Sequence, residues 1–206
     1  MECIARYFPK LSETQLTQYE MMMRLYPDWN SKINVISRKD IENLEINHIL
    51  HSLGIAKFVT FSSGTKILDL GTGGGFPAIP LAVMFPDVTF HLVDRIGKKL
   101  RVAEDVASQL GLSNVTIQHG DIKEVKGAFD FVVSRAVMPL TDMVPLVRRL
   151  ISRIDHNSIP NGLLCLKGGN LDVEVAAFKN RVLVDELNSY FSEPFFETKK
   201  IVYLPL

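Results

Sequence analysis

The chain has 206 residues, 47% of them hydrophobic and 22% charged, and its 23 basic and 23 acidic side chains give a formal net charge of zero. This is the composition of one well-buried globular domain with a short accessory segment, and it excludes two large domains and a disordered or fibrous chain. A zero balance supplies no global attraction to nucleic acid, so a polyanionic partner would have to be met by local clusters of basic side chains. The longest apolar run, from Ala78 to Phe85, is interrupted by Pro80 and falls far short of the roughly 20 residues that cross a bilayer. The start, Met1 to Arg6, offers neither a basic n-region nor an apolar h-region, which leads us to expect a cytoplasmic protein. Cys3 and Cys165 show no metal-ligand spacing, so neither a disulfide nor a zinc site is expected.

In chain order, a capping box at Ser12 to Gln15 opens a helix whose apolar residues Leu16, Tyr19, Met22, Met23 and Tyr26 recur at helical spacing until Pro27. A second helix is expected from Ile41 to Phe58, and the turn signal Ser62, Ser63, Gly64 closes this part. The division is therefore a helical segment over 1–62, packed on a main domain over 63–206. From Lys66 the pattern becomes strand Lys66 to Leu70, glycine loop, helix Pro77 to Phe85, strand Val88 to Val93, helix Lys98 to Leu110 and strand Val115 to Gln118. A short irregular piece, strand Phe129 to Val133, a helix near Leu140 to Ile151 and strand Gly162 to Leu166 continue it. A helix near Val173 to Leu187 and a last strand, Lys200 to Leu204, complete the chain. This alternation predicts an α/β fold with a mostly parallel sheet covered by helices on both faces.

The loop Asp69, Leu70, Gly71, Thr72, Gly73, Gly74, Gly75 follows an apolar strand and precedes a helix. That arrangement presents backbone N–H groups to a ligand with no Cβ in the way. The dinucleotide fingerprint would need a small residue where Phe76 stands, and a P-loop would need a Lys followed by Ser or Thr that is missing here. A ligand-free turn is the bland alternative. Against it stand three acids, Asp69, Asp94 and Asp121, each at or just beyond a strand's C-terminal end, where an open parallel sheet has its crevice. Asp94 is placed to accept hydrogen bonds from ribose hydroxyls, and the region after the third strand to meet adenine.

The string from Ile67 to Pro80 resembles the glucose-inhibited division protein B family, bacterial guanine-N7 methyltransferases of small-subunit ribosomal RNA. Trp29, Asn30 and Asn34, then His48 to Leu50, Gly97 to Lys99, Ser134 to Ala136, and Leu166 to Gly168 extend the resemblance in family order through most of the chain. It implies a Rossmann-like class I methyltransferase that uses S-adenosylmethionine to methylate N7 of one guanosine in 16S ribosomal RNA. It further implies that Gly71 and Phe76 line the cofactor pocket, that Ile122 and Lys123 lie beside the adenine, and that Arg135 projects from the end of the fourth strand. With Asp69, Gly73 and Asp94 from the loop and strand end these are the expected cofactor-binding residues, and Arg135 is the candidate for orienting the reactants. The chain departs from the family pattern at Asn47, His51 and Arg95.

Guanine N7 has an exposed lone pair, so no dedicated base is expected, and the segment after the fourth strand lacks the Asn/Asp-Pro-Pro-aromatic motif of exocyclic amino methyltransferases. Cys165, inside an apolar run, reads as a buried thiol. His48 and His51 read as packing residues on a helix face, and Trp29 as a core anchor. Lys98, Lys99 and Arg101 are either a solvated helix face or contacts to the RNA backbone. The expected partner is 16S ribosomal RNA or the small ribosomal subunit, met by a monomer with no metal. A methyltransferase for a small molecule or protein, and a catalytically silent RNA-binding protein, are the competing readings.

Overall fold

Side chains alternate between two apolar layers along the central strands, and this period of two assembles the molecule. The computed structural model describes residues 2–37, 39–135 and 137–206; Met1, Arg38 and Ala136 lie outside the described residues. Strands β1 (Lys66–Leu70), β2 (Thr89–Asp94), β3 (Val115–His119), β4 (Phe131–Arg135), β5 (Gly162–Gly168), β6 (Leu183–Glu186) and β7 (Lys199–Pro205) form one sheet in the order β3-β2-β1-β4-β5-β7-β6. The first five pair in parallel, and β7 runs antiparallel to both β5 and β6. Ile67, Phe90, Leu92, Phe131, Val133, Leu164 and Leu166 face one core. Leu68, Leu70, Val93, Val132, Leu163 and Cys165 face the other.

The first core is roofed by helices α2 (Glu13–Lys32), α3 (His51–Phe58), α4 (Ala78–Met84) and α5 (Gly97–Gln109), and Ile4 of α1 (Glu2–Tyr7) lies in it too. The second is covered by α6 (Leu140–Val147) together with Ile122 and Val125. No helix among the described residues is long and apolar enough to cross a membrane.

Four expectations are corrected. Helix α2 does not stop at Pro27 but runs on to Lys32. Pro27 removes one amide donor, and the next turn is held instead by Tyr26 and Asn30, both buried, and by Trp29, whose Nε1 donates to Asp105 at 2.7 Å. The stretch from Ile41 to Phe58 is helical but not one α-helix: a 3₁₀ turn (Ile41–Asn43) leads into a π-helical turn (Glu45–Leu50) before α3. The helix expected near Leu140 to Ile151 leaves α geometry at Val147, finishing in a 3₁₀ turn at Arg148–Leu150. The helix expected near Val173 to Leu187 is only the short α7 (Asp172–Ala176), and Leu183–Glu186 instead forms β6, paired with β7. A free edge on β7 decides this last case, because it offers Leu183 and Val184 a ladder that suits β-branched and apolar residues.

Candidate functional site

Strand order reverses between β1 and β4, and the loops leaving the C-terminal ends of β1, β2, β3 and β4 surround a cavity of about 540 Å³ there. Its wall includes Gly71, Gly73, Phe76, Asp94, Ile122 and Arg135, all named from sequence. Lys99 also lines it, whereas Lys98 and Arg101 are exposed on α5 away from the wall. Asp69 and Lys123 are not on the wall either.

The glycine loop is shaped by two carboxylates. Asp69 is fully buried, and its Oδ2 accepts from Thr72 Oγ1 at 2.7 Å and from Ala78 N at 3.1 Å, tying the loop to the start of α4. Burial pushes its pKa up to about 7, opposed by the Thr72 and Ala78 hydrogen bonds. Asp94 accepts from Gly73 N at 2.8 Å through Oδ2 and from Ile96 N at 2.8 Å through Oδ1. One acid thus supports the loop from below while the other fixes it at the cavity edge. Gly71 and Gly73 have φ of 71° and 57°, a region that favours glycine, and a Cβ on Gly71 would come within 2.6 Å of Val137.

Two contacts from the N-terminal segment complete the loop and were not foreseen. The Tyr26 hydroxyl donates to Gly74 O at 2.9 Å, and Val35 packs so closely that a Cβ on Gly74 would meet it at 2.9 Å. In the sequence Trp29, Asn30 and Asn34 match the family pattern, but nothing local places this segment against the loop.

Beyond β3, Asp121 caps the turn Ile122–Glu124, accepting from Lys123 N at 2.9 Å, and it pairs with Arg95 from the end of β2. Lys123 contributes its backbone to this cap while its side chain is exposed. Beyond β4, Val137 and Met138 form part of the wall. Lys167 holds that segment by donating to Met138 O at 2.9 Å, and Glu174 joins it by pairing with Lys167 at 2.5 Å and accepting from Leu140 N at 2.7 Å.

Arg135 is placed differently from the other wall residues. Its guanidinium lies 4.8 Å from the centroid of the Phe76 ring, and its Nη1 is enclosed without a hydrogen-bond partner among the described residues. Burial lowers its pKa to about 10, with Asp69 acting the other way. Tyr26 and His48 also pack on Phe76, with centroid separations of 4.6 and 5.4 Å. Burial, then the charge of Arg135, lowers His48 to about 3, so its ring is neutral. At the two other departures from the family pattern, His51 is buried against Phe195 and Asn47 donates to Asp40 at 3.2 Å.

Among the described residues no group of three or more His, Cys, Asp or Glu side chains is positioned to hold a metal. Cys165 is buried, its thiol pushed up to about 12 by burial and set against Met143 Sδ at 3.7 Å. That makes it packing material rather than a nucleophile.

A family model described as rRNA small subunit methyltransferase G matches residues 13–202. A Bacteroides thetaiotaomicron protein named ribosomal RNA small subunit methyltransferase G is 58% identical over 98% of each chain. One of the same name from Christiangramia forsetii is 50% identical over 100% of this chain and 97% of its own. Among solved structures, a SAM-dependent methyltransferase from Aquifex aeolicus aligns with a TM-score of 0.55 at 16% identity, covering 74% of this chain and 88% of its own. A precorrin-6y C5,15-methyltransferase from Geobacter metallireducens also gives 0.55, at 13% identity over 84% and 92% of the two chains. These two likenesses show the fold, a Rossmann-like α/β architecture with a mostly parallel sheet.

Proposed function

The chain belongs to the rRNA small subunit methyltransferase G family, and from that premise we propose that it uses S-adenosylmethionine to methylate N7 of one guanine in 16S ribosomal RNA. The observation that carries this reading is the glycine loop bound to Asp94 at the mouth of a cavity large enough for a nucleoside cofactor. The residues present fit that group. Gly71 and Gly73 keep the approach free of Cβ atoms, Asp94 offers its remaining lone pairs to ribose hydroxyls, and Ile96 and Ile122 give apolar surface to a purine. Phe76 and Arg135 close the opposite side, the Lys123 backbone holds the Ile122 turn, and Asp69 keeps the loop in shape.

When bound, the cofactor supplies an activated methyl group on its sulfonium. Guanine N7 needs no prior deprotonation, so the chain's task is to orient the base and exclude water. Arg135, the cation nearest the end of β4, is the orienting residue in this reading. Lys98, Lys99 and Arg101 extend from the cavity rim onto the outer face of α5, a position suited to RNA phosphates. The partner is the RNA or the small ribosomal subunit that contains it, and the protein acts as a cytoplasmic monomer.

Incubation with S-adenosylmethionine labelled in the methyl group, followed by separation of RNA, protein and small molecules, tests the reading. Label in small-subunit ribosomal RNA is expected. Label confined to protein or small molecules overturns the substrate, and cofactor binding with no transfer to any fraction overturns the enzyme assignment.

A further inference from the structure

The second face of the sheet is covered only in part. One row across it runs Thr116, His91, Leu68, Val132, Leu163, from the β3 edge inwards. The last three are buried in the core that α6 covers, whereas Thr116 is exposed and His91 half-buried. The connections explain the difference: α5 links β2 to β3, but only the 3₁₀ turn Ile122–Glu124 stands between β3 and β4. A parallel sheet ordinarily has helices over both faces. The part left uncovered here is polar, which suits water or a polar ligand and not an apolar partner.

That part forms a trough of about 470 Å³ whose lining includes Lys66, His91, Thr116, Gln118, Lys126 and Phe129. The His91 imidazole is held at both nitrogens, by Thr116 Oγ1 at 2.8 Å and Gln118 Oε1 at 3.0 Å. It lies nearly parallel to the Phe129 ring, with 5.9 Å between centroids and 23° between planes. A flat ring fixed in this way and half open to solvent is a platform for stacking a nucleobase.

The charges around the trough are one-sided. Lys66, Lys123 and Lys126 are exposed, and none of them pairs with a carboxylate among the described residues. Arg149 spends its guanidinium on three carbonyls of the same turn, those of Ile122, Lys123 and Val125, so its charge is uncompensated too. Glu124, the acid on the lining, is tied back to Asp121 N in its own capping box. In a chain with no net charge, such a cluster marks a place for an anion. The trough also adjoins the cavity, for Ile122 lines the cavity, Glu124 lines the trough, and Lys123 is exposed between them.

Resting on the RNA reading above, we propose that this trough is a docking surface for single-stranded ribosomal RNA near the target guanine. One base stacks on His91, and backbone phosphates lie against Lys66, Lys123 and Lys126. Because α5 packs on the other face of the sheet, its basic residues and the trough hold the RNA from both sides of the β3 edge.

The full chain carrying Lys66→Gln together with Lys126→Gln, or His91→Ala, or His91→Phe, is titrated with naked small-subunit ribosomal RNA, and S-adenosylmethionine affinity is read by calorimetry. The double Gln variant should bind RNA more weakly and lose roughly 0.7 of salt slope for each lysine. His91→Ala should weaken RNA binding about five- to a hundredfold, the scale of one base stacked on a ring, with the salt slope unchanged. His91→Phe keeps a ring beside Phe129 and should recover part of that loss. Cofactor affinity should be unaffected throughout, since none of these side chains is on the cavity wall. An unchanged salt slope in the double variant, unchanged RNA affinity in His91→Ala, a Phe variant no better than Ala, or a parallel loss of cofactor affinity overturns the trough. So does a loss seen with the assembled subunit but not with naked RNA, which assigns the surface to a protein of the particle. Failure of the unsubstituted protein to methylate the RNA in either form overturns the functional reading instead, and the trough with it.

Discussion

The two ends of the cavity differ in how completely they are finished. At the end bounded by β2 and β3, Asp94 accepts from Gly73 and Ile96, Asp121 from Lys123 and Arg95, and Glu124 closes a capping box. At the end bounded by β4, Arg135 lines the wall with an enclosed nitrogen that has no partner among the described residues, and His48, off the wall, is enclosed against Phe76. The contrast teaches that the first end is preorganised by the chain itself, so a ligand there adds contacts to a built frame.

The largest expected effect lies at the finished end. Asp94→Ala removes both the support of Gly73 N and the acceptor facing the cavity, and should weaken S-adenosylmethionine binding by about 1.5–3 kcal/mol. Calorimetry that finds unchanged affinity in the folded variant would erase the distinction between the two ends.

The next effect is a pH dependence peculiar to the unfinished end. His48 is lowered from 6.5 to about 3, so as pH falls below about 6.5 the unfolded chain takes up a proton that the folded chain refuses. Its contribution to stability is complete above that pH and is lost on the way down to about 3. Asp69, raised from 3.8 to about 7, works in the opposite direction, and comparison with His48→Phe cancels it. Between pH 7 and 5 the unsubstituted protein should lose on the order of 1 kcal/mol more than the variant in denaturant unfolding. Equal losses would show that His48 is as well solvated as an exposed imidazole.

The smallest effect sharpens the boundary of the cavity. Of the three basic residues on α5 named from sequence, only Lys99 lines it. Lys98→Gln and Arg101→Gln should each flatten the salt dependence of RNA binding by roughly 0.7 in slope while leaving cofactor affinity intact. Lys99→Gln should weaken both ligands. If all three behave alike in both titrations, the division made by the cavity wall has no functional meaning.

Much of the finished end was legible in the sequence. An apolar strand, a glycine loop and an acid at the next strand's end are local patterns with fixed spacing, and the parallel sheet then places them together. The capping box at Ser12 and Gln15 was readable for the same reason. The unfinished end was not, because its parts come from far apart in the chain. His48 reads as one polar residue on an apolar face, and nothing local says that Arg135 and Phe76 will enclose it. Tyr26 and Val35 were missed likewise, since their contacts with the loop depend on how α2 lies across α4 and α5. The tail from Val173 to Leu187 failed for another reason: its helical spacing was real, but a free strand edge on β7 outweighed it.

The central claim, methyl transfer to N7 of a guanine in small-subunit ribosomal RNA, is tested most directly by the chemistry of the product. Methylation at N7 makes the ring cationic and reducible, so borohydride followed by aniline cleaves the RNA at the modified nucleotide. Unmodified small-subunit ribosomal RNA, offered naked or in the assembled subunit, should acquire a single new cleavage site at a guanosine that depends on both the protein and S-adenosylmethionine. Transfer of label to the RNA without any enzyme-dependent cleavage, or cleavage equally strong without the protein, would contradict the account.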